Sequence, residues 1–281
     1  FDLNAPRPNR AGEDLPILTR RPNVGFSGIT AVLPVGASSY HGLQAKVERR
    51  FAGGFQLLNS FTWSKAMDNY CAPMEDGNNC GLQNPTRDRR NEWAVSTLHQ
   101  SLNNVTSLVY ELPFGKGRRF GNNMHRAVDA IAGGWRFTTI STMETGEPFN
   151  LVWSPTVQFN VGGTARPNLT GDINAVSGVR GPSNWLNKAA VSLPTDYTSP
   201  YGSAGRNIGR SPAIFNTDIG MHKKFNVIPE VVGLEFRAEA FNLFNHTNFR
   251  APNANASNAN FGTITSAYPA RILQFALRLS W

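Results

Sequence analysis

The sequence predicts an all-β chain folded as an antiparallel transmembrane β-barrel with long extracellular loops. Three observations carry that expectation. The final residues, Arg271-Ile-Leu-Gln-Phe-Ala-Leu-Arg-Leu-Ser-Trp281, alternate strictly, with Leu273, Phe275, Leu277, Leu279 and Trp281 on one parity and Gln274, Ala276, Arg278 and Ser280 on the other. Successive side chains of a strand point to opposite faces, so one face is wholly apolar. The same alternation recurs along the chain. Polar stretches over about 65–101, 155–213 and 244–270 separate the alternating segments. Several loops above ~15 residues are uncommon in a compact soluble domain, whereas outer-membrane barrels pair short turns at one end with long loops at the other. The rival is a soluble β-sandwich with the apolar parity packed inward, and alternation alone does not separate the two.

Taken in order, Leu43, Ala45 and Val47 oppose Gln44, Lys46 and Glu48, and Phe55, Leu57, Phe61 and Trp63 oppose Gln56, Ser60, Thr62 and Ser64. The Gly-rich connector Arg50-Phe-Ala-Gly-Gly54 makes these two a hairpin. Further strands are expected at 107–112, at 135–143, and at Phe149, Leu151 and Trp153 after the turn Thr145-Gly-Glu-Pro148. Phe215, Ile219 and Met221 begin another, and Leu234, Phe236, Ala238 and Ala240 the next, with a turn at 226–230 between them. Trp63 and Trp153 fall near strand ends, where the aromatics of a membrane girdle belong. If Trp281 ends at the periplasm, strand 231–243 runs outward, 244–270 is an external loop, strand 40–50 runs inward and 55–64 outward. The count between 65 and 213 then does not close, so at least one further strand is expected, most readily within 155–213.

Composition excludes several classes. Charged residues are only 16% of the 281, aromatics are 11%, and no apolar run approaches the roughly 18 residues of a membrane-spanning helix. Alternating strands produce no such run, so a membrane barrel remains open. The net charge of +8 invites a nucleic-acid reading, but the basic residues are scattered and the aromatics do not interleave with them. Phe1 does not open a leader sequence, so a processed chain or a piece of a longer one is expected.

Little points to chemistry. Cys71 and Cys80 lie in a polar, turn-rich stretch without zinc spacing, and a disulfide closing an exposed loop in an oxidising compartment is expected. His41, His99, His125, His222 and His246 are dispersed and no Gly-x-Ser-x-Gly elbow occurs, so neither catalytic nor metal residues nor a cofactor are expected. Arg87, Arg89 and Arg90 could hold an anionic ligand or a lipopolysaccharide phosphate through forked contacts; a solvated loop is the simpler reading. Lys46, Glu48, Glu235, Arg237, Glu239 and Arg278 all oppose the apolar parity and would face a polar lumen, with Arg237 and Glu239 in a structural ion-pair ladder. The Asn-rich tract 251–260 reads as a flexible external loop.

Tyr110-Glu-Leu-Pro-Phe-Gly-Lys-Gly117, Gly133-Gly-Trp135 and Thr145-Gly-Glu-Pro-Phe149 resemble the C-terminal half of Oar-like TonB-dependent outer-membrane receptors. So do Leu57-Leu-Asn-Ser-Phe-Thr-Trp-Ser-Lys65, Gly205-Arg-Asn-Ile-Gly-Arg210, Phe236-Arg-Ala-Glu-Ala-Phe-Asn-Leu-Phe-Asn-His246, Asn248-Phe249, Phe261-Gly262 and Arg271-Ile-Leu-Gln-Phe275. The blocks run in order from about residue 40 to the terminus. Two positions depart: Trp281 stands where Phe is usual, and Leu98-His-Gln100 where an Arg-His pair is commoner. The resemblance implies a barrel of about 22 strands filled by an N-terminal plug. This chain is too short for all of it, so 1–281 is expected to be a C-terminal barrel segment. It further implies uptake of an unidentified ligand, driven by the TonB complex through an N-terminal part not in this sequence; the rival functions are a passive or structural outer-membrane barrel, including an adhesion-type surface protein, and a soluble β-sandwich binding module. Expected partners are outer-membrane lipid and lipopolysaccharide and the barrel-assembly machinery, which would read the strand ending at Trp281. The expected location is the outer membrane of a Gram-negative-type envelope. No nucleic-acid partner is expected.

Overall fold

In the computed structural model, which describes residues 2–29, 31, 34, 36–70, 82–83, 92–228 and 231–281, the alternating segments become one antiparallel sheet. Its long strands are β1 (Ser38–Ala52), β2 (Phe55–Asp68), β4 (Leu102–Glu111), β5 (Trp135–Glu144), β10 (Ile214–Ile228), β11 (Val232–Phe241) and β12 (Ile272–Ser280). They lie side by side in that order, while the two-residue β3 (Ala94–Val95) adds to the outer end of β2. Each long strand therefore neighbours the one before and the one after it in sequence, an up-and-down meander. Among the described residues the sheet is open: β1 and β12 each have one paired side.

The connections differ at the two ends, with two tight turns and the 112–134 connection at one and the three longest at the other. Gly53 and Gly54 both take positive φ, 62° and 81°, and close the β1–β2 hairpin. A tight turn of this hand is open to glycine without strain. The β10–β11 connection is also short, and the chain leaves β2, β5 and β11 for its three longest connections at the opposite end. Directions now close without a missing strand. The expected strand at Phe149–Trp153 does not cross: β6 (Pro148–Phe149) is two residues long and pairs with β9 (Gly209–Arg210) inside the long loop. Counting it as a crossing created the apparent gap in 155–213, which holds β9 and the short pair β7 (Asn168–Leu169) and β8 (Val191–Ser192) but no long strand.

The local alternation there has a different cause. Leu151 is fully buried and packs with Ile173, Leu186, Ala190 and Phe261, so the hydrophobic core sits in the loops and not under the sheet. Trp153 is likewise buried, edge-on to Phe159, and is not a girdle residue. The Asn-rich tract is pinned. Val152 N–H donates to Ala254 at 3.0 Å, and Ala256 N–H donates back to Val152 at 2.7 Å. The N-terminal stretch joins the same cap, because the buried Arg20 guanidinium donates to the carbonyls of Arg7, Leu15, Val157 and Asn160. Each nitrogen of that buried group is thereby given at least one acceptor.

At the short-turn end, the 112–134 connection carries α1 (Arg126–Ala132). Lys223, on the apolar parity of β10 but 4% exposed, reaches the carbonyls of Asp129 (3.1 Å) and Gly133 at the C-terminal end of this helix. Trp135 and Phe225 rings flank its ammonium at 5.6 and 5.3 Å. Carbonyls and ring faces together replace the water a buried cation would lose.

Candidate functional site

Strand register turns scattered alternation into two continuous faces. One row pairs Leu57, Leu108, Thr139, Ile219, Ala240 and Leu273 across six strands, all on the apolar side. Large apolar side chains on this side stand uncovered: Trp63 is 61% exposed, and Phe275 and Leu277 are each 69% exposed. Such a surface in water would be an aggregation hazard; against lipid it needs no cover. Phe55 meets Tyr110 edge-on at 6.0 Å, with Phe137 next in the row, so aromatics mark the turn end of the face. Between these aromatics and Trp63 runs a polar row, Asn59, Thr106, Ser141 and Thr217. Asn59 donates to Thr106 in this row at 2.8 Å and to Asn104 in the next row at 2.9 Å, and Ser141 lies 3.0 Å from Thr217.

Lys46, Glu48, Glu235, Arg237, Glu239 and Arg278 share the other face, carried there by the register. Lys46 pairs with Glu48 at 2.8 Å, and Glu111 gathers Arg118 and Arg136 at 2.9 and 3.3 Å. Arg237 pairs with Glu235 at 3.0 Å and not with Glu239, and Gln274 stands directly opposite Glu239. The expected Arg237–Glu239 ladder is corrected accordingly. Arg278 stands opposite Glu235. The terminal residues Leu273, Phe275, Leu277 and Leu279 lie on the apolar face of β12, and Trp281 follows it, exposed.

At the loop end, two ion pairs are nearly sealed from solvent. Arg166 donates to Glu92 at 2.9 Å and to Gln83 at 3.0 Å, while Arg206 holds the Asp68 carboxylate and main chain together with the Glu92 carbonyl. Asn207, in the left-handed region at φ 54°, caps this lock by donating to the Val95 carbonyl. Beside it opens a cleft of about 410 Å³ lined by Met67, Trp93, Ala94, Val95, Gly205, Arg206, Asn207, Ile208 and Arg210. His99 lies next to it. Its Nδ1 accepts the Ala66 N–H at 3.2 Å and its Nε2 meets Ser101 Oγ at 2.8 Å. Burial first, and then the charges of Arg210 and Lys65, hold this imidazole below its ordinary pKa.

A family model for an outer membrane beta barrel domain matches residues 1–274. The chain belongs to that family. No curated protein matches it. Membership places this barrel domain in the outer membrane, and the soluble sandwich reading is thereby set aside. Its uncovered apolar face is then the surface against the hydrocarbon.

Cys71, Cys80, Arg87, Arg89 and Arg90 lie outside the described residues. Several residues that sequence reasoning passed over turn out to hold the loops to the barrel domain. Within Phe236–His246, Asn242 and Asn245 both sit at φ 52°, Asn242 donates to the His246 carbonyl, and Asn245 accepts the Arg271 N–H. Asn248 clamps both backbone groups of Phe215 at 2.9 Å. Two Asn three apart after a strand were the available signal, since Asn tolerates left-handed turns.

Proposed function

We propose that this barrel domain is the wall and outer loops of an Oar-like TonB-dependent receptor, which takes up a ligand too large or too scarce for passive diffusion. One observation carries the reading: the ordered sequence blocks that resemble these receptors fall on the strands and on the turns that lock the loops to them. Phe236–His246 forms β11 and its left-handed exit, and Gly205–Arg210 forms the Arg206 lock on β2. The open sheet supports it, because seven long strands with two unpaired edges call for further strands to complete a barrel. Ligand would bind at the outer loops, and a plug in the lumen, contacted by the polar face, would rearrange when the TonB complex acts from the inner membrane. Barrel-assembly machinery would read the strand ending at Trp281. No residue of this chain is assigned a catalytic role or a cofactor.

The intact protein from its native envelope, reconstituted in planar bilayers, is expected to conduct no steady ion current and to retain the periplasmic domain of TonB on co-purification. A permanently open conductance without TonB retention would identify a passive barrel instead.

A further inference from the structure

We propose that the membrane-facing side docks a second copy of this chain, through Asn59 on β2 and Asn104 on β4 at mid-depth in the bilayer. Phe55 and Trp63 lie four residues to either side of Asn59 on β2. On a strand tilted ~45° this places Asn59 roughly 9 Å of bilayer depth from each aromatic boundary. No water at that depth pairs with an amide. Asn104 is on the same face, opposite Phe61 on β2 and Met143 on β5. Both amides are half-buried, so part of each meets whatever lies outside the sheet.

Within one copy the two amides are only half satisfied. Asn59 uses its Nδ2 hydrogens on Asn104 Oδ1 at 2.9 Å and Thr106 Oγ1 at 2.8 Å. Among the described residues Asn59 Oδ1 receives no hydrogen bond and Asn104 Nδ2 donates none. Ser141 and Thr217, farther along the row, meet each other. What the two amides lack is thus a donor and an acceptor, and they hold one of each to offer. A second copy related by a two-fold axis supplies both. Asn104 Nδ2 of each copy then donates to Asn59 Oδ1 of the other, and with the two internal bonds the four amides close a ring about the axis. Neither group is charged, so an ionic partner would answer neither, and a lipid chain pairs with neither. Val47, opposite Asn59 on β1, and Met143, opposite Asn104, are 56% and 46% exposed and flank the amides, ready to pack around that ring.

The proposal rests on the outer-membrane placement alone, so its failure leaves the receptor reading standing. The test is energy transfer between two dye-labelled batches of the intact protein, reconstituted together in phosphatidylcholine vesicles and diluted with lipid. The wild type is expected to show transfer that falls on dilution as pairs separate. Asn59→Leu with Asn104→Leu should weaken pairing about tenfold, the scale of two hydrogen bonds across an interface buried in lipid. Leucine resembles asparagine in shape and suits hydrocarbon, so this variant should keep its folded band on unboiled gels. If it does not, Asn104→Leu alone decides, since it removes the donor and should lose most of the pairing. Leu277→Ala, on β12 and away from the amides, should pair as the wild type does. A wild type that stays monomeric at every dilution overturns the proposal. So does a folded Asn104→Leu or double variant that pairs as tightly as the wild type, or a Leu277→Ala variant that loses as much.

Discussion

Arg166 and Glu92 meet at 2.9 Å with 3% and 1% of their side chains exposed, joining the loop after β5 to the segment before β3. Removing one partner leaves a buried charge alone, which costs about 3–5 kcal/mol, whereas replacing both with apolar side chains is often tolerated. Glu92→Gln or Arg166→Met is therefore expected to open the outer loops to protease while the strands stay protected. Glu92→Leu combined with Arg166→Met should be cut less than either single variant. If the double variant is cut as fast as the sum of the singles, the pair is not the lock.

His99 makes the same cap sensitive to acid. Its folded pKa is held below the ordinary 6.5, by burial first and then by Arg210 and Lys65. The unfolded cap therefore binds the proton more readily than the folded one, and stability present above pH 6.5 is lost as pH falls through the folded value. Geometry agrees, because protonation would place a hydrogen on the Nδ1 that accepts the Ala66 N–H. Loop proteolysis should accelerate between pH 7 and pH 5 in the wild type, at roughly the range where histidine titrates. His99→Gln, which can still accept from Ala66, should flatten that dependence; an unchanged acid response in this variant would clear His99 of the role.

The strands were legible because lipid on one side and polar groups on the other impose a period of two over long stretches, as in Leu273 to Leu279. That same period misleads at Phe149, Leu151 and Trp153, where alternation feeds a loop core: a local pattern says which side is apolar, not what covers it. The tract Asn253 to Asn260 reads as flexible by composition. In the structure its amides close successive local turns, Asn255 N–H on Asn253 at 2.9 Å, Ser257 N–H on Asn255 at 3.0 Å and Asn260 N–H on Asn258 at 2.8 Å. Such side chains satisfy the backbone without any regular element. The lock at Arg206 was not legible at all, since Asp68 and Glu92 lie far from it in the chain and only the fold brings them together.

Asn242 carries two separable burdens. Its backbone sits at φ 52°, and its side chain donates to the His246 carbonyl at 2.9 Å while accepting the His246 N–H at 3.0 Å. Glycine would remove only the side-chain bonds; alanine would remove them and add the left-handed penalty of about 1–2 kcal/mol. Asn242→Ala is thus expected to lower the temperature at which the folded band disappears on unboiled gels by more than Asn242→Gly does. Equal shifts would mean that the hydrogen bonds alone matter there.

The last strand separates the two faces most cleanly. Phe275 lies opposite Ala238 on the apolar side, and Gln274 lies opposite Glu239 on the polar side, one residue apart on β12. An arginine on the lipid face near the bilayer midplane costs about 2–4 kcal/mol, whereas one placed beside a carboxylate on the polar face finds a partner. Phe275→Arg is therefore expected to reduce the folded fraction in lipid sharply, and Gln274→Arg to leave it near wild type. The contrast should vanish in guanidinium-unfolded protein, where neither side chain has a face. Equal tolerance of the two substitutions in lipid would mean that the apolar side of β12 is not against the bilayer, and that Phe275, Leu277 and Leu279 are covered by protein instead.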